Sequence, residues 1–307
     1  MDKEVEDLRI LSMHDLTLKK NAAKLSLFSN LLLIIIKLSA GIASTSFGII
    51  SEAIHSATDC LASCIAYLAV KKSSELPDKR HQFGHGKYED FSGLVEGILI
   101  IFASLYILIE AVHKIITGNY SVSNINLAAS VMFLSVTVNI IVSKVLFNIA
   151  RKTGSIALYA DGEHLRTDVY TSLGIAFGML LIKYTGMYIL DTIIAFIVSI
   201  IIFNAGRKIC IKTIKNLLDE GLPEKDICLI KQIVKDFQKD GILEHCLIKT
   251  RTSGPLINIE LTIYALPTMT IKEGHRICNE IEYKIKKILG RTETLIHIEP
   301  ESDVKIS

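Results

Sequence analysis

The stretch Ser51-Glu-Ala-Ile-His-Ser-Ala-Thr-Asp59 places a histidine and an aspartate four residues apart inside the otherwise apolar window 47–70. A second pair with the same spacing, His164 and Asp168, lies in the apolar window 156–183. Side chains four residues apart lie on one face of a helix, with about 5–6 Å between them. The sequence therefore predicts two helices, each with a histidine and an aspartate on one face.

These two windows belong to a strongly apolar chain. Of its 307 residues 50% are hydrophobic and 21% are charged, and the mean hydropathy is +0.41. A soluble chain of this composition would expose large apolar patches, which argues against a purely cytosolic enzyme. A helix that crosses a bilayer needs about 20 mostly apolar residues, and the qualifying windows are 23–44, 47–70, 91–113, 125–148, 156–183 and 187–205. We therefore predict a membrane α-helical bundle of six transmembrane helices.

Basic residues collect on one side of this predicted bundle. They precede the first window, fill the connection between the second and third windows, and follow the fourth and sixth: Lys19, Lys20, Lys24, Lys71, Lys72, Lys79, Arg80, Lys87, Arg151, Lys152, Arg207, Lys208 and Lys212. Lysine and arginine mark the cytoplasmic side of a membrane protein, so both termini are predicted to be cytoplasmic. The net charge of only +2 argues against a nucleic-acid partner.

The character of the chain changes after residue 206. Charged residues become frequent, apolar residues recur at helical spacing in 224–240 and 271–289, and aliphatic or β-branched runs occupy 243–250, 256–264 and 293–299. This order predicts a small cytoplasmic α+β domain, αββαβ, with its helices on one face of a sheet. The predicted division is a cytoplasmic N-terminal segment 1–22, a transport domain 23–206 and a cytoplasmic domain 207–307.

The two histidine–aspartate pairs together offer four metal ligands. His55, Asp59, His164 and Asp168 form an N2O2 set that suits tetrahedral Zn²⁺ and other borderline divalent metals, and the two carboxylates balance the charge of the ion. The alternative is that each polar side chain is satisfied by a neighbouring helix. Ionisable residues at membrane depth usually mark ion pathways, which favours the metal. An intramembrane metalloprotease is disfavoured because Glu163-His164 does not form the H-E-x-x-H pattern.

The chain resembles the cation diffusion facilitators, which are proton-coupled exporters of divalent metals. The resemblance covers nearly the whole chain and is carried by the segments 45–59, 77–87 (PDKRHQFGHGK), 161–168 (DGEHLRTD), 217–223 (LLDEGLP), 250–255 (TRTSGP) and 296–300 (IHIEP). It implies a six-helix transport domain, a metallochaperone-like cytoplasmic domain, a homodimer, and alternating access driven by proton exchange.

From the resemblance we expect a transporter of divalent cations rather than an enzyme, with no resident cofactor and with protons as the exchanged ion. Zn²⁺ is the favoured cargo, and Cd²⁺, Fe²⁺ and Mn²⁺ are alternatives. The rival function is a metal-responsive membrane sensor or scaffold that binds cations without net transport. The connection 151–155 lacks the histidine-rich insertion common in vesicular members of eukaryotes, so a bacterial or archaeal cell membrane is expected.

Other residues are candidates for accessory sites. Asp78, His81 and His85 supply three ligands in one connection, where the alternative is a solvated polar loop. His297 and Glu299 fall on one face of a predicted strand, and His275 lies at the last helix. The resemblance adds His245 and Cys246 to this cytoplasmic set, and puts Thr262, a poor ligand, at another of its positions. It also implies a charge interlock between Lys87 and Asp219, for which the alternative is two exposed charges; Lys37 and Asn139 are assigned to helix packing or snorkelling.

Overall fold

The computed structural model describes the backbone of residues 2–44, 47–117, 125–185 and 189–301, and within these ranges some side chains, His55 and His245 among them, lie outside the described part. The chain divides into two compact units, Met1–Ile214 and Lys215–Ser307. The first unit is helical: α1 (Asp2–Ser44), α2 (Phe47–Ser73), α3 (Lys87–Thr117), α4 (Ile125–Thr153), α5 (Ile156–Thr185) and α6 (Ile189–Leu217).

The helices of the first unit are longer than the apolar windows that predicted them. α1 runs back to Asp2 through the predicted segment 1–22, and α6 continues to Leu217, past the predicted domain boundary at 206. Hydropathy marks the part of a helix that can lie in hydrocarbon, whereas a helix ends where a breaker or cap interrupts it. The first proline after the start of α6 is Pro223, so α6 continues into its charged end.

Three segments among the described residues have the length and hydropathy of a membrane span: Asp15–Ala40, Lys87–Ile109 and Phe133–Thr153. They lie in α1, α3 and α4. Of the other three helices, α2 and α5 carry the histidine–aspartate pairs, and stretches of all three have side chains outside the described part.

α5 is the central helix of the first unit. It contacts α1, α2, α3 and α4, and every residue from Ser155 to Leu165 is buried except Tyr159. A helix that is buried on all sides needs no amphipathic stripe, and α5 shows none, because polar Asp161, Glu163 and His164 alternate with apolar residues around it. The polar residues of α5 are therefore directed at neighbouring helices.

Two glycines let α3 and α6 approach each other closely. A Cβ added at Gly97 would lie 2.7 Å from Sγ of Cys210, and one added at Gly206 would lie 2.9 Å from the carbonyl oxygen of Gly97. A side chain at either position would therefore force the neighbouring helix to move. Close backbone contact through small residues is a common way for helices to associate in membranes.

The second unit has the predicted αββαβ order. It contains α7 (Glu224–Lys235), β1 (Ile242–Ser253), β2 (Leu256–Ala265), α8 (Ile271–Leu289) and β3 (Thr292–Pro300). β2 is the central strand, antiparallel to β1 and parallel to β3. Alternate residues of β2, from Ile259 to Ala265, pack with apolar side chains of α7 and α8 in one core. The helices therefore cover one face of the sheet, as predicted.

The predicted helix 224–240 ends earlier than expected. α7 stops at Lys235 and a short 3-10 turn, Gln238–Asp240, follows. The apolar spacing continues because Phe237 still packs into the core at 3% exposure, although its amide donates to Val234 in a tighter turn. Gly241 then reverses the chain with a φ of +90°, in the left-handed region that favours glycine.

A capping box starts α8. The Glu273 amide donates to Oγ1 of Thr270 at 3.3 Å, and the Thr270 amide donates to the Glu273 carboxylate at 3.1 Å. The Thr270 hydroxyl also donates to this carboxylate, at 2.8 Å. This hydroxyl, followed by the Thr270 amide, lowers the pKa of Glu273. The box therefore satisfies amides that the first helical turn would otherwise leave unpaired.

We predict that Thr270→Ala destabilises the second unit by about 1 kcal/mol, the usual effect of losing a capping side chain. Hydrogen exchange of the first-turn amides of α8 in the full chain measures this, with Thr268→Ala, an exposed threonine two residues earlier, as the matched control. Because the pKa of Glu273 is lowered in the folded state, the contribution of its carboxylate is lost as the pH falls through that pKa. The penalty of Thr270→Ala should shrink at such acidic pH; equal exchange in the two variants at neutral pH contradicts the prediction.

Candidate metal centre

The structure brings together three of the four predicted intramembrane ligands. Asp59 on α2 and His164 and Asp168 on α5 each offer a ligand atom, and these atoms all lie within 4.8 Å of one another. Nε2 of His164 is 3.3 Å from Oδ1 of Asp59. The side chain of His55 lies outside the described part of the chain, so its place in the set stays a prediction.

The cluster of Asp59, His164 and Asp168, termed the metal centre below, has two buried members and one half-buried member, Asp168. Asp59 is 7% exposed and His164 is 8% exposed. Carboxylate oxygens and an imidazole nitrogen are suitable ligands for a borderline divalent cation. In this structure the Asp59–His164 contact has hydrogen-bond length, so a shared proton and a metal ion would compete for the same atoms.

A buried lysine lies beside the metal centre on α1. Nζ of Lys37 donates to the Ser56 hydroxyl at 2.6 Å, and Lys37 is 4% exposed. Ser56 is three residues before Asp59 on α2, about one helical turn. Lys37 therefore joins α1 to α2, which agrees with helix packing, one of the two roles predicted for it, and not with snorkelling.

A second polar layer lies one turn along the same helices and was missed by the sequence analysis. Ser63 on α2 donates to Oδ1 of Asp161 on α5 at 2.9 Å, and Asn30 on α1 donates to Ser63 at 2.8 Å. Glu96 on α3 is fully buried and interacts electrostatically with Asp161. The available signal was Glu96 itself, a charged residue inside the apolar window 91–113.

A third layer holds a fully satisfied carboxylate. Glu89, at the start of α3, accepts hydrogen bonds from Lys19 of α1, from Ser73 of α2 at 2.8 Å, and from Ser155 just before α5. Lys19 is 1% exposed, so this lysine, which contributed to the predicted topology as a flanking charge, is buried in an ion pair. Glu89 therefore ties four chain segments together and has a structural role.

The predicted loop ligands also come together. Asp78, His81 and His85 offer ligand atoms within 4.8 Å of one another between α2 and α3. Oδ1 of Asp78 accepts from the amides of His81 at 2.7 Å and Arg80 at 2.8 Å. These amides, that of His81 first, lower the pKa of Asp78. Oδ2 of Asp78 lies 3.4 Å from Nε2 of His85, a side chain that is only 2% exposed and whose ring nitrogens make no hydrogen bond with described residues.

Those predicted cytoplasmic ligands whose side chains the structure describes do not converge within one chain. Cys246 packs against the helix-covered side of the sheet, where burial raises its pKa. Strand alternation places His297 on the opposite side, because its neighbours Ile296 and Ile298 pack into the core. His297 and Glu299 do share a face, with 3.2 Å between Nε2 and Oε1.

The other predicted cytoplasmic positions are His275, His245 and Thr262. His275 is on the exposed surface of α8, 3.3 Å from Asn279, and the side chain of His245 is outside the described part. Thr262 is the cross-strand neighbour of His297. Among the described residues no three of these candidates form a ligand group, because side-chain direction depends on sheet register, which the linear pattern leaves open.

Lys87 and Asp219 belong to different units, so the charge interlock stays a prediction. Lys87 is the first residue of α3. Asp219 has a φ of 57°, and its Oδ2 lies 3.9 Å from Arg251. Arg251 gives this carboxylate a partner within its own unit.

We predict that Asp78→Asn and Asp78→Ala separate the two roles of Asp78. An asparagine oxygen can still accept the two backbone amides, so Asp78→Asn should keep the loop conformation while divalent-cation affinity at the loop falls about tenfold through loss of charge. Asp78→Ala should lose both. Limited proteolysis of the connection and equilibrium binding of Zn²⁺ in the full chain measure the two effects, and unchanged binding in Asp78→Asn would remove Asp78 from the ligand set.

Comparison with known proteins matches both units to one family. Residues 23–218 match the cation efflux transmembrane domain, and residues 222–301 match the cytoplasmic domain of cation efflux proteins. An uncharacterized transporter of Synechocystis sp. is 30% identical over 270 residues, which cover 88% of this chain and 86% of that protein. The manganese efflux system protein MneP of Bacillus subtilis is 28% identical, with 92% and 96% of the two chains covered.

A cation-efflux pump, FieF of Cronobacter sakazakii, is 27% identical, with 89% of this chain and 90% of FieF covered. A solved structure of CzrB in its zinc form, 28% identical, matches 28% of this chain and 98% of that chain with a TM-score of 0.26. With both units matched along most of their length, the chain belongs to the cation efflux family and is a cation diffusion facilitator, a membrane transporter of divalent metals.

Proposed function

We propose that this chain is a homodimeric antiporter that exports a divalent cation, with Zn²⁺ as the favoured cargo, from the cytoplasm in exchange for protons. The observation that carries the proposal is the buried metal centre, in which Asp59, His164 and Asp168 converge from two helices to within 4.8 Å. We assign His55 as the fourth ligand, since it lies one turn before Asp59 on α2.

Proton exchange is supported by the contact between Nε2 of His164 and Oδ1 of Asp59. At 3.3 Å these atoms can share a proton in the absence of metal. A metal ligand must give up its proton to bind. Loading from the cytoplasm would therefore release protons, and protonation from the other side would expel the cation, which is the stoichiometric link that an antiporter needs.

The choice of metal depends on the number of nitrogen ligands. The described ligands supply two carboxylates and one imidazole, and His55 would add a second imidazole, giving the N2O2 set that suits Zn²⁺. Oxygen-rich sets suit Mn²⁺, the metal named for the relative MneP. His55 is therefore the ligand that favours Zn²⁺ over Mn²⁺ in this proposal.

A homodimer is supported by the second unit. Its sheet has one face covered by helices, and the other face exposes Leu247, 60% exposed on β1, and Leu295, 70% exposed on β3. Apolar side chains on an uncovered sheet face are typical of an association surface. The membrane is assigned to a bacterial or archaeal cell, as the relatives come from Synechocystis, Bacillus and Methanocaldococcus, with both termini in the cytoplasm.

We predict that Asp168→Ala reduces metal-dependent proton flux in proteoliposomes to the level of empty vesicles, because the remaining ligands leave the cation undercoordinated. Flux is measured with Zn²⁺, Mn²⁺, Cd²⁺ and Fe²⁺ in turn. The matched control is Asp240→Ala, the same change at an exposed aspartate of the second unit, which should transport normally. Wild-type flux in Asp168→Ala contradicts the proposed site, and cation binding by the wild-type chain without any flux favours a sensor or scaffold instead.

We further predict that His55→Asp raises the ratio of Mn²⁺ to Zn²⁺ flux by about tenfold, because it replaces a nitrogen ligand by a harder oxygen ligand. Competitive flux of the two metals in the same vesicles, at two pH values, measures this ratio. The pH dependence should also become less steep if His55 exchanges a proton. His113→Asp, the same exchange at an exposed position of α3, is the control. A metal ratio and a pH profile like those of wild type would exclude His55 from the ligand set.

A further inference from the structure

Glu96 and Asp161 lie next to the metal centre and have no part in it. Asp161 precedes His164 by three residues on α5, and its partner Ser63 follows Asp59 by four residues on α2, so this layer is about one helical turn away. Glu96 faces the same region from α3, where it interacts electrostatically with Asp161 and His164. Both carboxylates are 0% exposed.

Most of the oxygen atoms of these two carboxylates are unpaired. Both oxygens of Glu96 and Oδ2 of Asp161 form no hydrogen bond of normal geometry within the described part of the chain, and the nearby polar groups that act on them, Ser92 at Glu96 and Ser26 at Asp161, are neutral hydroxyls. His164 interacts electrostatically with both residues, but none of the described lysines, arginines or histidines lies close enough to form an ion pair with either. The contrast is Glu89, two turns earlier on α3, whose carboxylate is satisfied by Lys19, Ser73 and Ser155.

Asp161 is nevertheless held in place. Ser63 donates to its Oδ1 at 2.9 Å, and Asn30 fixes Ser63 by donating to the hydroxyl at 2.8 Å. These bonds come from α1 and α2 and leave Oδ2 available. A preorganised carboxylate beside a second, unpaired one is a suitable arrangement for a cation that prefers oxygen ligands.

The charge of the two carboxylates determines which ligand Glu96 and Asp161 can bind. Burying an ionised carboxylate without a counter-charge is costly, and two such groups near each other raise the cost further. A divalent cation between them would neutralise both at once and would satisfy the unpaired oxygens. The metal centre, one turn away, is where the same cation would bind next.

We propose that Glu96 and Asp161 form a second divalent-cation site, the relay site, through which the metal passes between the cytoplasmic ends of the helices and the metal centre. The passage of metal rests on the proposed transport function. Cation binding at the relay site does not, and the two parts can be tested separately.

Binding is tested on the full chain in detergent, with Mn²⁺ as an oxygen-preferring probe and electron paramagnetic resonance to count bound ions. The metal centre is first weakened by Asp168→Ala. At saturating Mn²⁺, this variant should bind one ion more per chain than Asp168→Ala combined with Glu96→Gln, and Asp168→Ala combined with Glu96→Asp should keep the ion. Equal stoichiometry in the three proteins overturns the relay site.

Passage is tested with Glu96→Gln in the otherwise natural chain. Metal flux at low Mn²⁺ or Zn²⁺ concentration should fall about tenfold, while Ser104→Ala, which removes a buried hydroxyl about two turns away on α3 that donates to the carbonyl of Ile101, should leave it unchanged. Asp161→Asn should repeat the loss, so that the test stands if one variant folds poorly. Unchanged flux in both carboxylate variants overturns the passage of metal through the relay site.

The outcomes also separate this proposal from the proposed function. Normal flux in Asp168→Ala would contradict the metal centre. The relay site would still be tested, by the number of Mn²⁺ ions bound to Asp168→Ala with and without Glu96→Gln. If Glu96 and Asp161 carry only protons, the chain should bind the same number of Mn²⁺ ions with and without Glu96→Gln. That result contradicts a cation site at these residues.

Discussion

The burial of ionisable side chains at the contact between α2 and α5 is the constraint on which the first unit depends. Asp59, His164 and Asp168 bring two carboxylates and an imidazole together where Asp59 and His164 are buried and Asp168 is half-buried, which limits their solvation by water. Such a group is tolerated in a low-dielectric interior only if a proton, a metal or a basic side chain balances it. The helices around α5 therefore have two tasks, to shield this space from water and to hold its ligand atoms where an exchangeable ion can bind them.

The buried acids of the bundle separate into two kinds by the partners that they have. Glu89 accepts from Lys19 and two hydroxyls, so its charge is balanced permanently and it stabilises contacts among α1, α2, α3 and the start of α5. Glu96, seven residues later on the same face of α3, has no such partner. A permanent counter-charge fixes a structure, whereas the lack of one leaves a carboxylate able to bind an ion that comes and goes. Burial alone does not distinguish these roles, because both residues are fully buried.

The features that the sequence predicted are those that depend on local periodicity. α8 begins and ends at the predicted residues 271 and 289, and the three strands differ from their predicted ends by a few residues, because burial on one side imposes a period of 3.6 or 2 on the apolar residues. The spacing of His164 and Asp168 likewise placed both on one face of a helix. Features that depend on tertiary neighbours were not predictable. Whether Glu96 has a partner, whether Lys19 is buried, and which side of the sheet Cys246 faces are decided by elements distant in the sequence.

In the proposed antiport, the geometry of the metal centre makes a separate coupling device unnecessary. The same atoms of Asp59 and His164 that would bind metal lie at hydrogen-bond distance from each other, so metal and proton exclude one another by occupying one place. Exclusion of this kind links the two ions without any change of shape. A change of shape is needed only to move access from one side of the membrane to the other, and close contacts such as Gly97 with Gly206 allow helix backbones to lie against each other without bulky side chains between them. Ion coupling and helix movement can therefore be altered by different substitutions, the first at ligand atoms and the second at helix contacts.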